Sequence, residues 1–340
     1  MGRKQQRLFA FFVLLVLMGF DPRAHAQSPD DPRSSARSPN ADVDREKLHP
    51  FATGVVIDWS RKTVEVESAV VLREGPLELF ACSPRTREHE SIITIQARPL
   101  HVFQAMGLVG LEPGQPLRHD REKDTWLPPT GESISIRVRY GNDGIDFTVP
   151  IERWMVDAKT GLPSPALPWV FAGSTMLPDG VLGADVEGTV VSVVDFETAI
   201  IALTKLHTSA NEQLWLKANT TAIPPIKSKC TMLIQRGTRD PNVKPLTLVL
   251  SEKGSLSERT SPDEGGAVIL DLEGWAKTIR TNLERPWFIE VSRGVTNDVI
   301  KSTLSGFKKA GFDRRDVELR PVEEVSRGVA DGMTSTVPRP

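Results

Sequence analysis

Past residue 50 the apolar residues fall in short runs broken by turn-forming and charged residues, the pattern of a sheet. Runs at 54–59, 63–72, 77–82 and 91–97 are separated by Ser60-Arg61-Lys62, by Glu74-Gly75-Pro76 and by the charged stretch 84–90. Val64 and Val66 alternate with polar neighbours, as a half-buried strand requires. The period then changes. Val102, Phe103, Met106 and Val109 recur at the spacing of one helical face over 99–110, with Pro99 in the first turn and Gly110, then Glu112-Pro113-Gly114, as the stop. Strict alternation returns at 133–140, setting Ile134, Ile136 and Val138 on one side and Ser135, Arg137 and Arg139 on the other. Gly141-Asn142-Asp143-Gly144 is a turn into 145–149, so the two segments predict a hairpin. Further strands are predicted at 168–172, 189–194 and 230–235, with Asp195 capping a short helix through Leu203. Segments 120–130 and 157–168 have the composition of surface loops.

Beyond Pro241 the rhythm is more regular. A strand at 246–250, a turn at Glu252-Lys253-Gly254 and a second strand at 267–270 precede Asp271, the cap of a helix whose Leu272, Trp275, Ile279 and Leu283 form one stripe. Pro286 breaks that helix. A strand at 287–291 follows, then Thr296 opens a helix that turns Val299, Ile300, Thr303, Leu304 and Phe307 inward and closes on Lys308, Lys309 and Gly311. The last strand is 317–321. The expected fold class is therefore α+β: a β-rich mixed domain over 48–240, then a small β-β-α-β-α-β domain over 246–322.

The two ends belong to neither domain. Arg3, Lys4 and Arg7 precede an apolar core at 8–20, and Ala24 and Ala26 make an A-x-A site before Gln27, so residues 1–26 read as a signal peptide cleaved between Ala26 and Gln27. The core is shorter than the roughly 20 residues that cross a bilayer. Cleavage would release a chain with no remaining membrane span, in the periplasm or outside the cell; retention would leave the same body tethered on the same side. Residues 27–47, rich in Ser, Pro, Asp and Arg, predict a disordered spacer, and 323–340 a disordered tail. Loss of the leader leaves 38 basic against 43 acidic residues, near −5. With no basic block, nucleic acid is not an expected partner.

Candidate chemistry is sparse. Cys82, Glu88, His89 and Glu90 are the only local cluster of reactive or metal-ligating side chains. If 77–82 and 91–97 pair as a hairpin, Cys82 and His89 flank one charged loop, with thiolate, imidazole and carboxylate donors of the kind zinc takes, or a Cys-His nucleophile. The alternative is a buried apolar Cys with the three polar residues making turn hydrogen bonds. No C-x-x-C or H-x-x-x-H spacing occurs, and no cofactor is expected beyond a metal at Cys82 and His89. Cys82 and Cys230 either form a disulfide or stay as two separately buried thiols. Asp179 and Asp185, with Gly180 and Gly183, lack the ordered spacing of a calcium loop, and Gly173-Ser174 is no nucleophile elbow. His101 lies beside the stripe of its helix. The seven Trp residues are scattered, as core aromatics are.

Two resemblances organise these readings. The segment Arg73-Glu74-Gly75-Pro76-Leu77-Glu78-Leu79-Phe80-Ala81-Cys82, with Thr86-Arg87-Glu88-His89-Glu90-Ser91-Ile92, Gly110-Leu111-Glu112-Pro113-Gly114 and Pro168-Trp169-Val170-Phe171-Ala172-Gly173-Ser174, resembles the YdjY-like domain of bacterial envelope proteins in its planctomycete-type form, over 52–236. That resemblance implies a shared fold and brings no activity; a family loop ahead of the strand at Thr189 is shortened here to 178–185. The segment 246–254, the helix 272–283, and Phe288-Ile289-Glu290-Val291 before the helix ending Lys308-Lys309-Ala310-Gly311-Phe312 look like the periplasmic domain of ExbD and TolR proteins. That likeness implies dimerisation and contacts with protein or cell wall, without the membrane helix that normally precedes such a domain. The expectation is an exported, non-enzymatic protein that binds envelope proteins or itself; the competing expectation is a metal-binding or redox enzyme centred on Cys82 and His89. Amino-terminal sequencing of the exported protein is expected to begin at Gln27; a membrane-bound chain that still begins at Met1 would establish the tethered form instead.

Overall fold

The structure, a computed structural model, describes residues 48–142, 144–210, 213–237, 245–259, 267–281 and 287–322. All of them belong to one compact unit, Arg45–Pro340. The leader, spacer and tail expected at 1–26, 27–47 and 323–340 lie outside the described residues, as do Asp143, Leu283 and Pro286.

In chain order the strands and helices are β1 (Leu48–Ala52), β2 (Val55–Asp58), β3 (Thr63–Val70), β4 (Leu79–Cys82), β5 (Ser91–Ile95), α1 (Pro99–Leu108), β6 (Arg118–Asp120), β7 (Thr125–Leu127), β8 (Ile134–Asn142), β9 (Ile145–Pro150), β10 (Met155–Asp157), β11 (Trp169–Phe171), α2 (Gly183–Glu187), β12 (Thr189–Ser192), β13 (Ile201–Leu203), β14 (Leu216–Ala218) and β15 (Lys229–Arg236). Then come β16 (Leu246–Leu250), β17 (Leu256–Arg259), α3 (Leu272–Thr281), β18 (Trp287–Val291), α4 (Asn297–Lys309) and β19 (Leu319–Pro321). The chain is β-rich and broadly α+β, as expected. No helix among the described residues is long and apolar enough to cross a membrane.

Eleven strands form one mixed sheet in the order β11-β13-β12-β4-β5-β3-β15-β8-β9, with β2 on the first half of β3 and β1 on β2. The sheet curls until β8 meets β11: Ser133 bridges Val170, and the Phe171 N–H donates to the Glu132 carbonyl at 3.0 Å. The Gly114 N–H donates to the Phe171 carbonyl at 2.9 Å. Gly131 lets these backbones converge, because a Cβ there would run into that same carbonyl.

Alternation along β8 decides what fills the interior. Ile134, Ile136, Val138 and Tyr140 are buried, while Ser135, Arg137 and Arg139 lie half-buried on the other face, as their period of two predicts. β9 pairs back on β8 with Asn142 opposite Ile145, the expected hairpin. Trp154 is fully buried, 5.5 Å from the Tyr140 ring and 6.2 Å from Phe80. α1 covers the neighbouring strands with Val102, Ala105 and Met106, and ends at Gly110 as expected.

Three expectations are corrected. β4 and β5 run parallel, with Leu79 opposite Ser91 and Cys82 opposite Thr94, instead of forming a hairpin. Both strands are buried along their whole length, and such runs carry no alternation from which direction can be read. The helix expected from Asp195 to Leu203 is a turn followed by β13, whose residues are all buried between β11 and β12. The second strand of the carboxy-terminal segment is β17; of 267–270 only Val268 bridges it, at Ser257.

The carboxy-terminal sheet has the order β17-β16-β18-β19, with β16, β18 and β19 parallel. Asp271 accepts from the Gly274 N–H at 3.0 Å and Thr296 from the Val299 N–H at 3.4 Å, the two caps expected. Trp287 stacks on Phe307 at 5.5 Å, with Phe312 and Trp275 edge-on to both. The segment 313–321 lies along the outward face of β3, β8 and β9. Arg315 ion-pairs with Asp58 at 2.9 Å, Arg137 with Glu318 at 2.6 Å and Arg61 with Asp316 at 2.8 Å.

Gly131→Ala is expected to cost about 2–4 kcal/mol in urea unfolding, because the closure of the sheet must open to admit the methyl group. Gly107→Ala, in α1 with no atom within 4 Å of the added carbon, is expected to be neutral or to stabilise by up to about 1 kcal/mol.

Candidate functional site

The parallel register of β4 and β5 decides where the sequence-picked cluster goes. The connection from Cys82 must return along β4 to its starting end before β5 begins. It turns at Arg85, whose φ of 63° is left-handed, and is tied by the Thr86 hydroxyl to the Ser83 carbonyl at 2.7 Å. Glu88 accepts from the Arg85 N–H at 2.8 Å, and one 3-10 turn, Glu88–Glu90, delivers the chain to β5. There the Glu78 N–H donates to the Glu90 carbonyl at 3.1 Å, next to the beginning of β4.

Cys82 and His89 are therefore separated. The Cys82 thiol is wholly buried under its own loop. Burial pushes its pKa up, against hydrogen bonds from Ser91, Thr86 and the Arg87 backbone, and the Glu88 charge adds to the rise. A thiol so placed is a poor nucleophile and a poor metal ligand, since both roles need the thiolate. The His89 side chain is 74% exposed and lies 3.6 Å from Glu90. Among the described residues, no group of three or more His, Cys, Asp or Glu side chains is arranged to hold a metal ion. Cys230, on β15, is also a free buried thiol, pushed up to about 12 by burial.

What the loop does assemble is a carboxyl pair. Glu78 is only 6% exposed, and its carboxyl hydrogen-bonds that of Glu90. Arg87 donates to Glu78 at 2.9 Å and lies 3.8 Å from Glu90, with its guanidinium 4.5 Å above the Phe196 ring. Burial, then the Glu90 hydrogen bond and charge, raise the Glu78 pKa to about 7 against the pull of Arg87. The protonated form of Glu78 is thus favoured up to about neutrality. Glu78 was legible in principle: it is the one charged residue inside the apolar run 77–82. Arg87 carries no such signal in a charged loop.

The remaining sequence candidates serve the scaffold. Asp185 accepts from the Leu100 N–H at 2.7 Å and pairs with Arg98 at 2.5 Å, so it caps α1 from α2. Asp179 accepts from the Val181 N–H at 3.2 Å, and the Ser174 hydroxyl donates to the Thr198 carbonyl at 2.7 Å. His101 stands edge-on to Phe51 at 6.5 Å.

This architecture is a curled mixed sheet with one covering helix, a return loop carrying an acid pair, and a second, smaller sheet behind it. The model of the YdjY domain matches residues 55–235, from the start of β2 almost to the end of β15, which is more than half of the chain. The chain belongs to the YdjY domain family. No curated protein and no solved structure matches it.

The Glu78 proton has a consequence for stability. In the folded chain it is held up to about pH 7, whereas an unfolded glutamate releases it near 4.5. The folded state binds more protons between those values, so the group's contribution is complete below pH 4.5 and is lost as pH rises through 7. Glu78→Gln is expected to flatten the pH 5–8 slope of urea stability by on the order of 2 kcal/mol and to leave the variant at least as stable as the parent at pH 8. An unchanged slope would show that the proton is not held there.

Proposed function

We propose that this chain is an exported envelope protein, periplasmic or secreted, that binds protein partners or copies of itself and does not catalyse a reaction. In this reading residues 246–322 are an ExbD/TolR-like β-β-α-β-α-β domain beside a YdjY domain of the planctomycete type. The capped helices at Asp271 and Thr296 and the aromatic cluster around Trp287 and Phe307 support a regular β-β-α-β-α-β arrangement of that segment.

The binding role rests on the outer edge of the carboxy-terminal sheet. β17 is flanked there by 267–270, where Val268 bridges Ser257 and the Ile269 N–H donates to the Leu256 carbonyl at 2.8 Å. On this edge Val268 is 54% and Leu270 94% exposed. Large aliphatic side chains offered to water on a sheet edge lose solvation cost when a partner strand or an apolar groove covers them. The partner is accordingly a protein, from the envelope or a second copy of the chain.

The test compares the full chain with a Val268→Asp, Leu270→Asp double variant in capture from envelope extracts and in analytical sedimentation. A loss of at least tenfold in a specific partner or in self-association, about 1.4 kcal/mol, is expected with an unchanged melting temperature. The same partners and the same mass in both proteins would refute the role given to this edge.

A further inference from the structure

The outward faces of β3, β8, β9 and β15 and the segment 314–318 line an open cleft of about 290 Å³. Five guanidinium groups line it against three carboxylates. The carboxylates are already divided: Glu65 between Arg139, at 2.7 Å, and Arg315, and Glu318 between Arg137 and Arg320, each at 2.6 Å. The third, Asp146, is exposed at the rim. Arg61 is satisfied outside the cavity by Asp58 at 3.0 Å and Asp316 at 2.8 Å.

Arg314 is left without a carboxylate within ion-pair distance among the described residues. Its two terminal nitrogens donate to the Val317 carbonyl at 2.7 Å and the Asp146 carbonyl at 3.0 Å. Burial lowers its pKa; Asp146 opposes that and the neighbouring Arg139 reinforces it. The group nonetheless stays charged at any physiological pH. A cavity with five guanidiniums in its lining against three carboxylates, one of the five held only by backbone carbonyls, has the chemistry of an oxyanion site.

We infer that this cavity binds a small phosphorylated anion, inorganic phosphate or a phosphomonoester, between Arg139 and Arg314. The volume admits a phosphate with a short substituent, and Leu233 and Val317 are the only apolar residues in the lining, which leaves no platform for a large apolar group. The bound anion would also cross-link the sheet to the segment 314–318.

Isothermal titration of the full chain with inorganic phosphate and with glycerol phosphate, at ionic strength fixed by sodium chloride, tests the assignment. One saturable site per chain is expected for at least one of them, and the tighter of the two identifies the source. Affinity is expected to fall at least tenfold in Arg139→Gln and in Arg314→Gln, and severalfold in Arg139→Lys, which keeps the charge and loses the fork. Arg121→Gln, on an exposed turn, is expected to bind as the parent does. Because Arg314→Gln removes two backbone contacts, the melting temperature of the parent chain is a second readout: phosphate should raise it above an equal ionic strength of chloride. No saturable binding of either anion by the parent chain, undiminished affinity in Arg139→Gln, or tighter binding of citrate than of both phosphates would overturn it.

Discussion

Asp58 is fully buried at the end of β2, and its carboxylate still sits below its ordinary pKa. Burial alone would drive it the other way. The Ser60 hydroxyl at 2.6 Å, the Arg61 N–H at 3.1 Å and the Arg61 guanidinium at 3.0 Å hold the charge from one side, and Arg315 holds it at 2.9 Å from the other. Three of these are local to the β2–β3 turn. Arg315 comes from the far end of the chain. Stripping one partner from a buried charge typically costs about 3–5 kcal/mol, so the amino-terminal sheet is at full stability only with the carboxy-terminal segment in place. The rest of that seam follows from this docking: Arg137 to Glu318, Arg153 to the Pro321 carbonyl at 2.8 Å, and the cavity between them.

Glu78 meets the same problem in the opposite way. Burial, and then the neighbouring Glu90 carboxyl, make keeping the proton less costly than ionising, and a single arginine moderates the balance without reversing it. One buried acid is thus a fixed charge and the other a titrating group. The difference lies in what surrounds each: two guanidiniums at Asp58, one from its own turn and one from the carboxy-terminal segment, against a glutamate and one guanidinium at Glu78.

Legibility followed solvent exposure. β8 has one face on the core and one on a charged seam, so Ile134 to Arg139 announced strand, face and hairpin together. α1 was equally plain, because Val102 and Met106 recur at helical spacing and Pro99 and Gly110 mark both ends. β4, β5 and β13 are buried on both faces, and a run such as Ile200-Ile201-Ala202-Leu203 has neither a period nor a direction to read. The site suffered most from this. With β4 and β5 taken as antiparallel, Cys82 and His89 faced each other across a loop; with the strands parallel, the loop carries Glu90 back to Glu78. The arginine seam was out of reach for another reason, since it joins residues such as Arg61 and Asp316 that lie hundreds of positions apart.

β15 occupies the middle of the large sheet, between β3 and β8, with Cys230 opposite both Ser68 and Tyr140. A ribosome delivers β3 long before it delivers β15. During that interval β3 and β8 each present a bare edge of N–H and C=O groups, and neither can pair with the other in the native register. Folding of this chain is therefore governed by the longest-range strand pairing among the described residues, a slow class of topology. The period of greatest exposure to misassociation ends only when Arg236 has arrived.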